Sequence, residues 1–145
     1  AYVEIPATYL VPAGSSTKTV AEVDRPGVRI ATAARSAYDL YLSRNLKHAQ
    51  LVRAEGIPAS YDLFVKDKLD ALSGLLPRLA SDVARLPGAR ILGGKFTAIQ
   101  QAIGTPKART AAAAYLREFV ADIKASGLVA SLIARHGVKG IAVPA

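Results

Sequence analysis

Cysteine, methionine and tryptophan are all absent from this chain of 145 residues. Without cysteine there can be no disulfide bond, no thiolate metal site and no cysteine nucleophile. The missing methionine, including at position 1, predicts that the chain is processed, trimmed or excised rather than a raw translation product. There is also no signal-peptide pattern and no apolar run of about 18 residues, so we expect no membrane-spanning segment.

Histidine is nearly as scarce, because only His48 and His136 occur. Neither has a second histidine or a carboxylate at a convincing metal-ligand spacing, so we expect solvent-facing or capping residues and no metal. Glycine-rich phosphate loops and the Gly-x-Ser-x-Gly elbow are missing as well. The 11 acidic residues show no pattern of a catalytic pair. The sequence therefore predicts neither a cofactor nor an enzymatic activity.

The charge is unbalanced, with 19 lysines and arginines against 11 acidic residues and a net charge of +8. The basic residues are scattered, form no block and are not interleaved with aromatic residues. We therefore expect a solvated basic surface and no nucleic-acid partner. Hydrophobic residues make up 51% of the chain and charged residues 21%, which is typical of a globular protein.

Short strands alternate with helices along the first two thirds of the chain. Strands are predicted at 2–11, 28–33, 49–54, 70–75, 90–92 and 96–103, a single helical turn at 19–23, and helices at 36–46, 60–68, 77–86, 106–125 and 128–135. Pro6 inside the first strand predicts an edge position or a bend. The last long helix is predicted to begin with Thr105 as N-cap and Pro106 as its first residue. This order predicts an α/β fold, in which a mostly parallel sheet is covered on both faces in three layers and C-terminal helices follow.

One turn has the pattern of an anion site. The predicted strand 28–33 leads through Arg35, Ser36 and Ala37 straight into a helix, whose first backbone N–H groups point outward and carry partial positive charge. Ser36 adds a hydroxyl and Arg35 a full charge, which together favour a carboxylate. The alternative is that Ser36 only caps its helix and Arg35 is exposed.

Several stretches, in their order and spacing, resemble a known family and together cover nearly the whole chain. They are residues 7–15, 20–31, 36–42, 68–72, 121–129 and 133–137. This pattern is similar to the solute-binding proteins of amino-acid-type ABC importers, the bacterial extracellular solute-binding protein family 3, which has the type II periplasmic-binding fold.

The resemblance implies a division of the chain. Residues 1–12 would be a strand crossing the hinge between two lobes, 13–94 the second lobe, and 95–145 the return strand and C-terminal helical tail. The family's first lobe, with its ligand-binding arginine, has no counterpart here.

The resemblance also implies a function. We expect a non-enzymatic component that captures a small, carboxylate-bearing or polar solute in the periplasm and docks on an ABC permease in the membrane. The alternatives are an enzyme on the same fold, dehydratase-like or lytic, and a sensor or effector domain.

The family's pattern assigns a ligand site within the second lobe. Its turn entering the helix holds the ligand's carboxylate, which points to Arg35, Ser36 and Ala37. The family often has an aspartate at the end of a later strand to hold an amino group. Gly74 and Leu75 stand at those positions, which weakens the case for an ordinary α-amino acid.

The C-terminal tail carries an apolar stripe of four residues. They are Leu116, Phe119, Val120 and Ile123, at steps of three and four along a helix. In the family this tail packs on the first lobe, so here the stripe would lose its usual cover. We therefore expect a further partner, either the missing first lobe or a second copy of the chain.

Overall fold

A computed structural model describes residues 1–145, which form two compact units. One unit contains residues 1–5 and 99–145, and the other contains residues 6–98. The expected division at residues 12 and 94, based on the resemblance, stays a prediction.

Six strands and five α-helices make up the chain. The strands are β1 (Val3–Val11), β2 (Arg29–Ala33), β3 (Gln50–Ala54), β4 (Ala71–Leu75), β5 (Arg90–Ile91) and β6 (Thr97–Gln101). The α-helices are α1 (Ala37–Asn45), α2 (Ile57–Lys66), α3 (Leu76–Val83), α4 (Thr110–Ala125) and α5 (Leu128–Arg135), and a 3-10 turn spans Val20–Val23.

The sheet has the strand order β3-β2-β4-β1-β5, and β6 also pairs with β1. Strand β2 is parallel to both β3 and β4, whereas β1 is antiparallel to β4 and β5. Strands β2, β3 and β4 therefore end at one common edge of the sheet.

Side chains of alternate residues build two separate cores on the two faces of this sheet. Tyr9 and Val11 of β1 pack with Leu42 of α1 in one core. Leu10, between them in sequence, packs in the other core with Phe64 of α2 and Leu79 of α3. Because successive strand residues point to opposite faces, this alternation places helices on both sides. The predicted three-layer α/β arrangement is confirmed.

Pro6 does not lie on an edge strand, because β1 has β4 on one side and β5 and β6 on the other. The predicted edge position does not hold for β1 as a strand, but Pro6 itself has no partner in β4. The ladder between β1 and β4 begins at Ala7, which pairs with Leu75. Pro6 lies just outside that ladder, where its missing N–H leaves no gap in the pairing.

The unit containing residues 1–5 and 99–145 is mainly helical. Glu4 and Ala142 exchange two backbone hydrogen bonds of 2.8 and 3.0 Å, and Tyr2 donates its backbone N–H to the Gln101 carbonyl at 2.9 Å. Helices α4 and α5 are separated by Gly127, whose φ of +75° is a left-handed conformation that favours glycine.

Helix α4 begins at Thr110, so the predicted start at Thr105 and Pro106 is wrong. The segment between them forms a turn, closed by a 3.0 Å hydrogen bond from the Arg109 N–H to the Pro106 carbonyl.

Candidate anion site at the carboxyl edge of the sheet

The carboxyl ends of β2 and β3 lie side by side, with Ala33 paired to Ala54. The turn 34–36 follows β2 and leads into α1, and residues 55–56 follow β3 and lead into α2. In open α/β sheets, ligands bind beyond the carboxyl ends of the strands. This edge is therefore the candidate site, and it contains the predicted turn.

The turn is held by a reciprocal cap. The Ser36 hydroxyl accepts the Asp39 backbone N–H at 3.0 Å, and the Asp39 carboxylate accepts the Arg35 backbone N–H at 2.9 Å. Serine at the N-cap and an acid three residues later form a variant of the capping box. The backbone of Arg35 has a φ of +62°, which this pair of hydrogen bonds helps to hold. The predicted N-cap role of Ser36 is confirmed.

The carboxylate of Asp39 is occupied by contacts that stabilise this turn. Its side chain is 5% exposed and forms an ion pair with Arg53, whose Nε lies 3.0 Å from one carboxylate oxygen. Arg53 also donates to the hydroxyl of Ser43 at 2.7 Å. The carboxylate of Asp39 therefore holds the turn in place and is not free to bind a solute.

Two backbone donors remain at the start of α1. The N–H groups of Ala37 and Tyr38 have no acceptor within the protein, whereas the next two are bonded to Ser36. Ala37 is exposed at the surface. Unpaired N–H groups at a helix N-terminus carry partial positive charge and bind anions. This pair of donors is the main chemical feature of the edge.

A charged pair flanks these donors. The guanidinium of Arg35 lies 2.7 Å from the Glu55 carboxylate, and the two side chains are 83% and 79% exposed. Sequence reasoning identified Arg35 but missed Glu55, which the parallel pairing of β2 with β3 brings to the same edge. A useful signal was present in the sequence, since Glu55 is the first residue after β3.

Beneath the edge lies a small apolar cluster. Ala7, Ala33 and Tyr38 are buried there, with Leu75 and Phe96 packed against them. Burial raises the pKa of the Tyr38 hydroxyl, and a hydrogen bond with Ser36 offsets part of that effect. Tyr38 therefore stays a neutral phenol around neutral pH and forms part of the floor of the site.

The structure separates the two predicted residues of β4. Leu75 contacts the cluster under the turn, whereas Gly74 lies beneath Leu79 of α3. A methyl group built on Gly74 would lie 3.0 Å from a terminal carbon of Leu79. Neither residue has a side-chain acceptor for an amino group. Nearby Asp82 is buried and paired to Arg78 at 3.0 Å, so its carboxylate is occupied too.

No group of three or more histidines, cysteines and acids is arranged to hold a metal ion. None of the helices has the length and apolar character needed to cross a membrane.

Comparisons with known proteins identify the fold. The P235GK mutant of ArgBP from T. maritima superimposes with a TM-score of 0.71 at 20% identity, covering 92% of this chain and 58% of that one. The solute receptor for L-cysteine of Neisseria gonorrhoeae gives a TM-score of 0.73 at 12% identity, covering 92% and 54%. The ancestral amino-acid-binding protein AncCDT-1, a precursor of cyclohexadienyl dehydratase, gives 0.70 at 16%, covering 91% and 56%.

The fold is that of the type II periplasmic-binding proteins. The resemblance seen in the sequence is thus confirmed at the level of the fold. The chain spans only 54% to 58% of the three structures it matches here. No protein-family model and no curated protein matches the sequence.

Proposed function

We propose that this chain is the ligand-gripping lobe of a solute-binding component of an ABC importer. Its solute carries a carboxylate or a similar anionic group, which binds at the turn formed by Arg35, Ser36 and Ala37. The observation that carries the proposal is the pair of unpartnered N–H groups of Ala37 and Tyr38 at the carboxyl edge of the sheet. The fold shared with amino-acid-binding proteins supports it.

Arg35 can serve this site at little cost. Its ion pair with Glu55 is solvent-exposed, and such pairs contribute about 1 kcal/mol or less. A solute carboxylate bound at the helix N-terminus can therefore replace Glu55 as the partner of Arg35. Glu55 is then free to accept a hydrogen bond from a donor group on the same solute.

The apolar floor limits the shape of the solute. The ring of Tyr38 and the side chain of Leu75 lie in the cluster below the donors, and no carboxylate follows β4 at this edge. A solute held here gains its polar contacts from the turn and from Glu55. We therefore expect a carboxylate with an apolar body near its anionic end.

Capture in this fold closes two lobes around the solute, and the closed form docks on a permease in the membrane. This chain provides one lobe of that arrangement. We propose the periplasm as its location and a permease as its membrane partner, on the basis of the resemblance to importers.

Ala37→Pro tests the site with minimal disturbance. Proline at the first position of a helix is well tolerated, and here it removes the Ala37 N–H. Ser36 already has an extended backbone, with a ψ of 159°, which is compatible with a following proline. Losing one hydrogen bond to a charged group costs about 1.5–3 kcal/mol, so binding should weaken by about 10-fold or more.

The measurement is isothermal titration calorimetry with acetate, succinate, L-cysteine and L-arginine as probes. Ala37→Ser is the matched control, because it changes the same exposed side chain but keeps the N–H. Equal affinities of the Pro and Ser variants for every probe that binds would show that the site lies elsewhere. Absence of binding by all four probes to the wild type would also contradict the proposal.

An enzyme on the same fold is the second candidate. It is favoured by the similarity to AncCDT-1, which is a precursor of cyclohexadienyl dehydratase. Glu55 is the exposed carboxylate at the edge and would be the acid or base in such a reaction. Formation of product from a bound carboxylic acid, lost in Glu55→Gln, would establish this function. Saturable binding without turnover favours solute capture.

A further inference from the structure

A concave site lies at the other end of the sheet from the candidate anion site. It is formed by residues 12–13 after β1, the end of α2 with Lys68, and the loop 86–89 after α3. Strand β1 is antiparallel to β4, and Leu10 pairs with Leu72, so the end of β1 lies beside the start of β4. The five residues of β4, at about 3.3 Å each, separate this site from the carboxyl edge. We call it the distal pocket.

The distal pocket is apolar apart from one cation. Its volume is about 350 Å³, at the small end of the range of about 300–1,000 Å³ that ligand sites span. Phe64, Val65, Leu86 and Pro87 contribute apolar walls, and Lys68 is the only charged residue of the lining. Phe64 is buried in the core, whereas Val65 is 43% exposed. The pocket therefore combines an apolar cavity with a single positive charge.

Close packing holds two sides of the pocket against each other. Ala13 lines one side, and a Cβ placed on Gly88 in the facing loop would lie 2.9 Å from the Ala13 Cβ. Gly88 also has a φ of +80°, a left-handed conformation that favours glycine. The Ala89 N–H donates to the Leu86 carbonyl at 3.1 Å and closes the loop. The pocket is thus formed before any molecule binds, as is usual for ligand sites.

The backbone of Lys68 occupies a position that normally favours glycine. Its φ is +48°, directly after the end of α2. The Leu69 N–H donates to the Phe64 carbonyl at 3.1 Å and the Lys68 N–H to the Val65 carbonyl at 3.4 Å, which are the two bonds of a Schellman motif. Lys66 already supplies a cation in the last turn of the helix. Because strained residues cluster at ligand sites, this backbone favours a binding role for the Lys68 side chain.

The ammonium group of Lys68 is free to bind an anion. It takes part in no ion pair and no side-chain hydrogen bond. Three large hydrophobic side chains are exposed in residues 6–98, Leu40, Ile57 and Val65, and only Val65 lines the pocket. A protein interface buries about 1,000 Å² or more in total, whereas one small apolar cavity with one charge suits a small molecule.

We infer that the distal pocket binds a small amphipathic anion, a monocarboxylate with one short acyl chain. The chain lies against Phe64, Val65 and Leu86, and the carboxylate pairs with Lys68. A lysine ammonium is a compact point charge, so this single cation matches one negative charge. None of these residues belongs to the candidate anion site, so binding here does not rest on the proposed function.

Titration of the 15N-labelled chain with hexanoate and octanoate locates the binding. Saturable shifts are expected at the backbone amides of Val65, Lys68 and Ala89. Binding should tighten by up to about 4-fold for each added methylene, because the acyl chain is taken out of water. Acetate should leave these signals in place, since it has no chain to bury. Shifts at the start of α1 report on the candidate anion site alone, so the two sites are distinguished in one experiment.

Lys68→Met tests the charge, because it keeps the apolar stem of the side chain. Its affinity for octanoate should fall by about 2- to 5-fold, the contribution of an exposed ion pair. Its affinity for octan-1-ol should not fall. Lys66→Ala is the matched control, since it removes a neighbouring charge outside the pocket and should bind octanoate as the wild type does. Lys68→Gly relieves the backbone, so it should melt above the wild type and also bind octanoate more weakly.

Three results would overturn the inference. The first is a wild type whose Val65, Lys68 and Ala89 signals do not shift with octanoate. The second is equal affinity of Lys68→Met and the wild type for octanoate. The third is a Lys68→Gly variant that melts below the wild type, which would assign Lys68 a structural role at the end of α2.

Discussion

Replacing Gly74 with alanine should destabilise the protein through a single steric contact. The added methyl group would lie 3.0 Å from one terminal carbon of Leu79 and 3.3 Å from its branching carbon. Both distances are shorter than an ordinary carbon–carbon contact of about 3.5–4.0 Å. Leu79 is 1% exposed and surrounded by the core between the sheet, α2 and α3, so it has little room to move.

The expected cost follows from this crowding. Overpacking a core by one methyl group costs about 1–3 kcal/mol. For a chain of this length, that corresponds to a fall in melting temperature of roughly 2–12 °C. Urea-induced unfolding followed by circular dichroism measures the free energy, and the slope with urea should stay unchanged.

A double-mutant cycle with Leu79→Ala isolates the contact. Leu79→Ala alone should cost about 2–5 kcal/mol, because it leaves a cavity in the core. In the double variant the new methyl group occupies part of that cavity, so the combined cost should be at least about 1 kcal/mol below the sum. Additive costs, to within about 0.5 kcal/mol, would show that Leu79 does not cover Gly74.

The same variant decides the role that the resemblance assigned to Gly74. If Gly74 contacts the solute, Gly74→Ala should weaken binding and leave the free energy of unfolding nearly unchanged. We expect lower stability and unchanged binding, because the side chain of Leu79 occupies the space next to the Gly74 Cα. A stable Gly74→Ala variant with impaired binding would therefore refute this placement.

Three further variants test the turn and a neighbouring loop. Ser36→Ala should lower stability by about 1 kcal/mol in urea unfolding, since it removes the cap of α1, whereas Ser36→Asp should keep most of it. Burial acts to raise the pKa of Asp24, but backbone N–H groups of residues 47–49 outweigh it and hold that pKa below its ordinary value. The stability from charged Asp24 is thus present above about pH 4 and lost as pH falls through the folded-state pKa. Between about pH 5 and about pH 2, Asp24→Asn should lose less melting temperature than the wild type, and an equal loss would contradict this assignment.

Much of the fold could be predicted because it depends on local patterns in the sequence. Strand β2, with its apolar run, forms where a strand was predicted and lies inside the sheet, between β3 and β4. Ser36 at the end of a turn indicated its helix correctly. These features depend on residues within a few positions of one another, which a single sequence displays directly.

The errors concern the pairing of β1 and the start of α4. Pro6 indicated an edge strand, because the sequence does not show that the ladder with β4 starts one residue later. The start of α4 was misplaced because the segment that begins with Thr105 and Pro106 closes a local turn ahead of the helix.

Only part of the candidate site could be predicted from the sequence. Arg35, Ser36 and Ala37 are adjacent in the chain, so their pattern could be recognised. Glu55 reaches them only through the pairing of β2 with β3, and the contact of Gly74 with Leu79 depends on how α3 packs on the sheet. Neither contact has a signature in the local sequence.

The central claim is that the start of α1 binds the anionic group of a solute. The most direct measurement is a titration of the 15N-labelled chain with succinate, followed by the backbone amide signals. The account predicts saturable shifts concentrated at Arg35, Ala37, Tyr38 and Glu55, and their loss in Ala37→Pro for residues that remain observable. Saturable shifts confined to another part of the chain, or no shifts at these residues at saturating succinate, would contradict it.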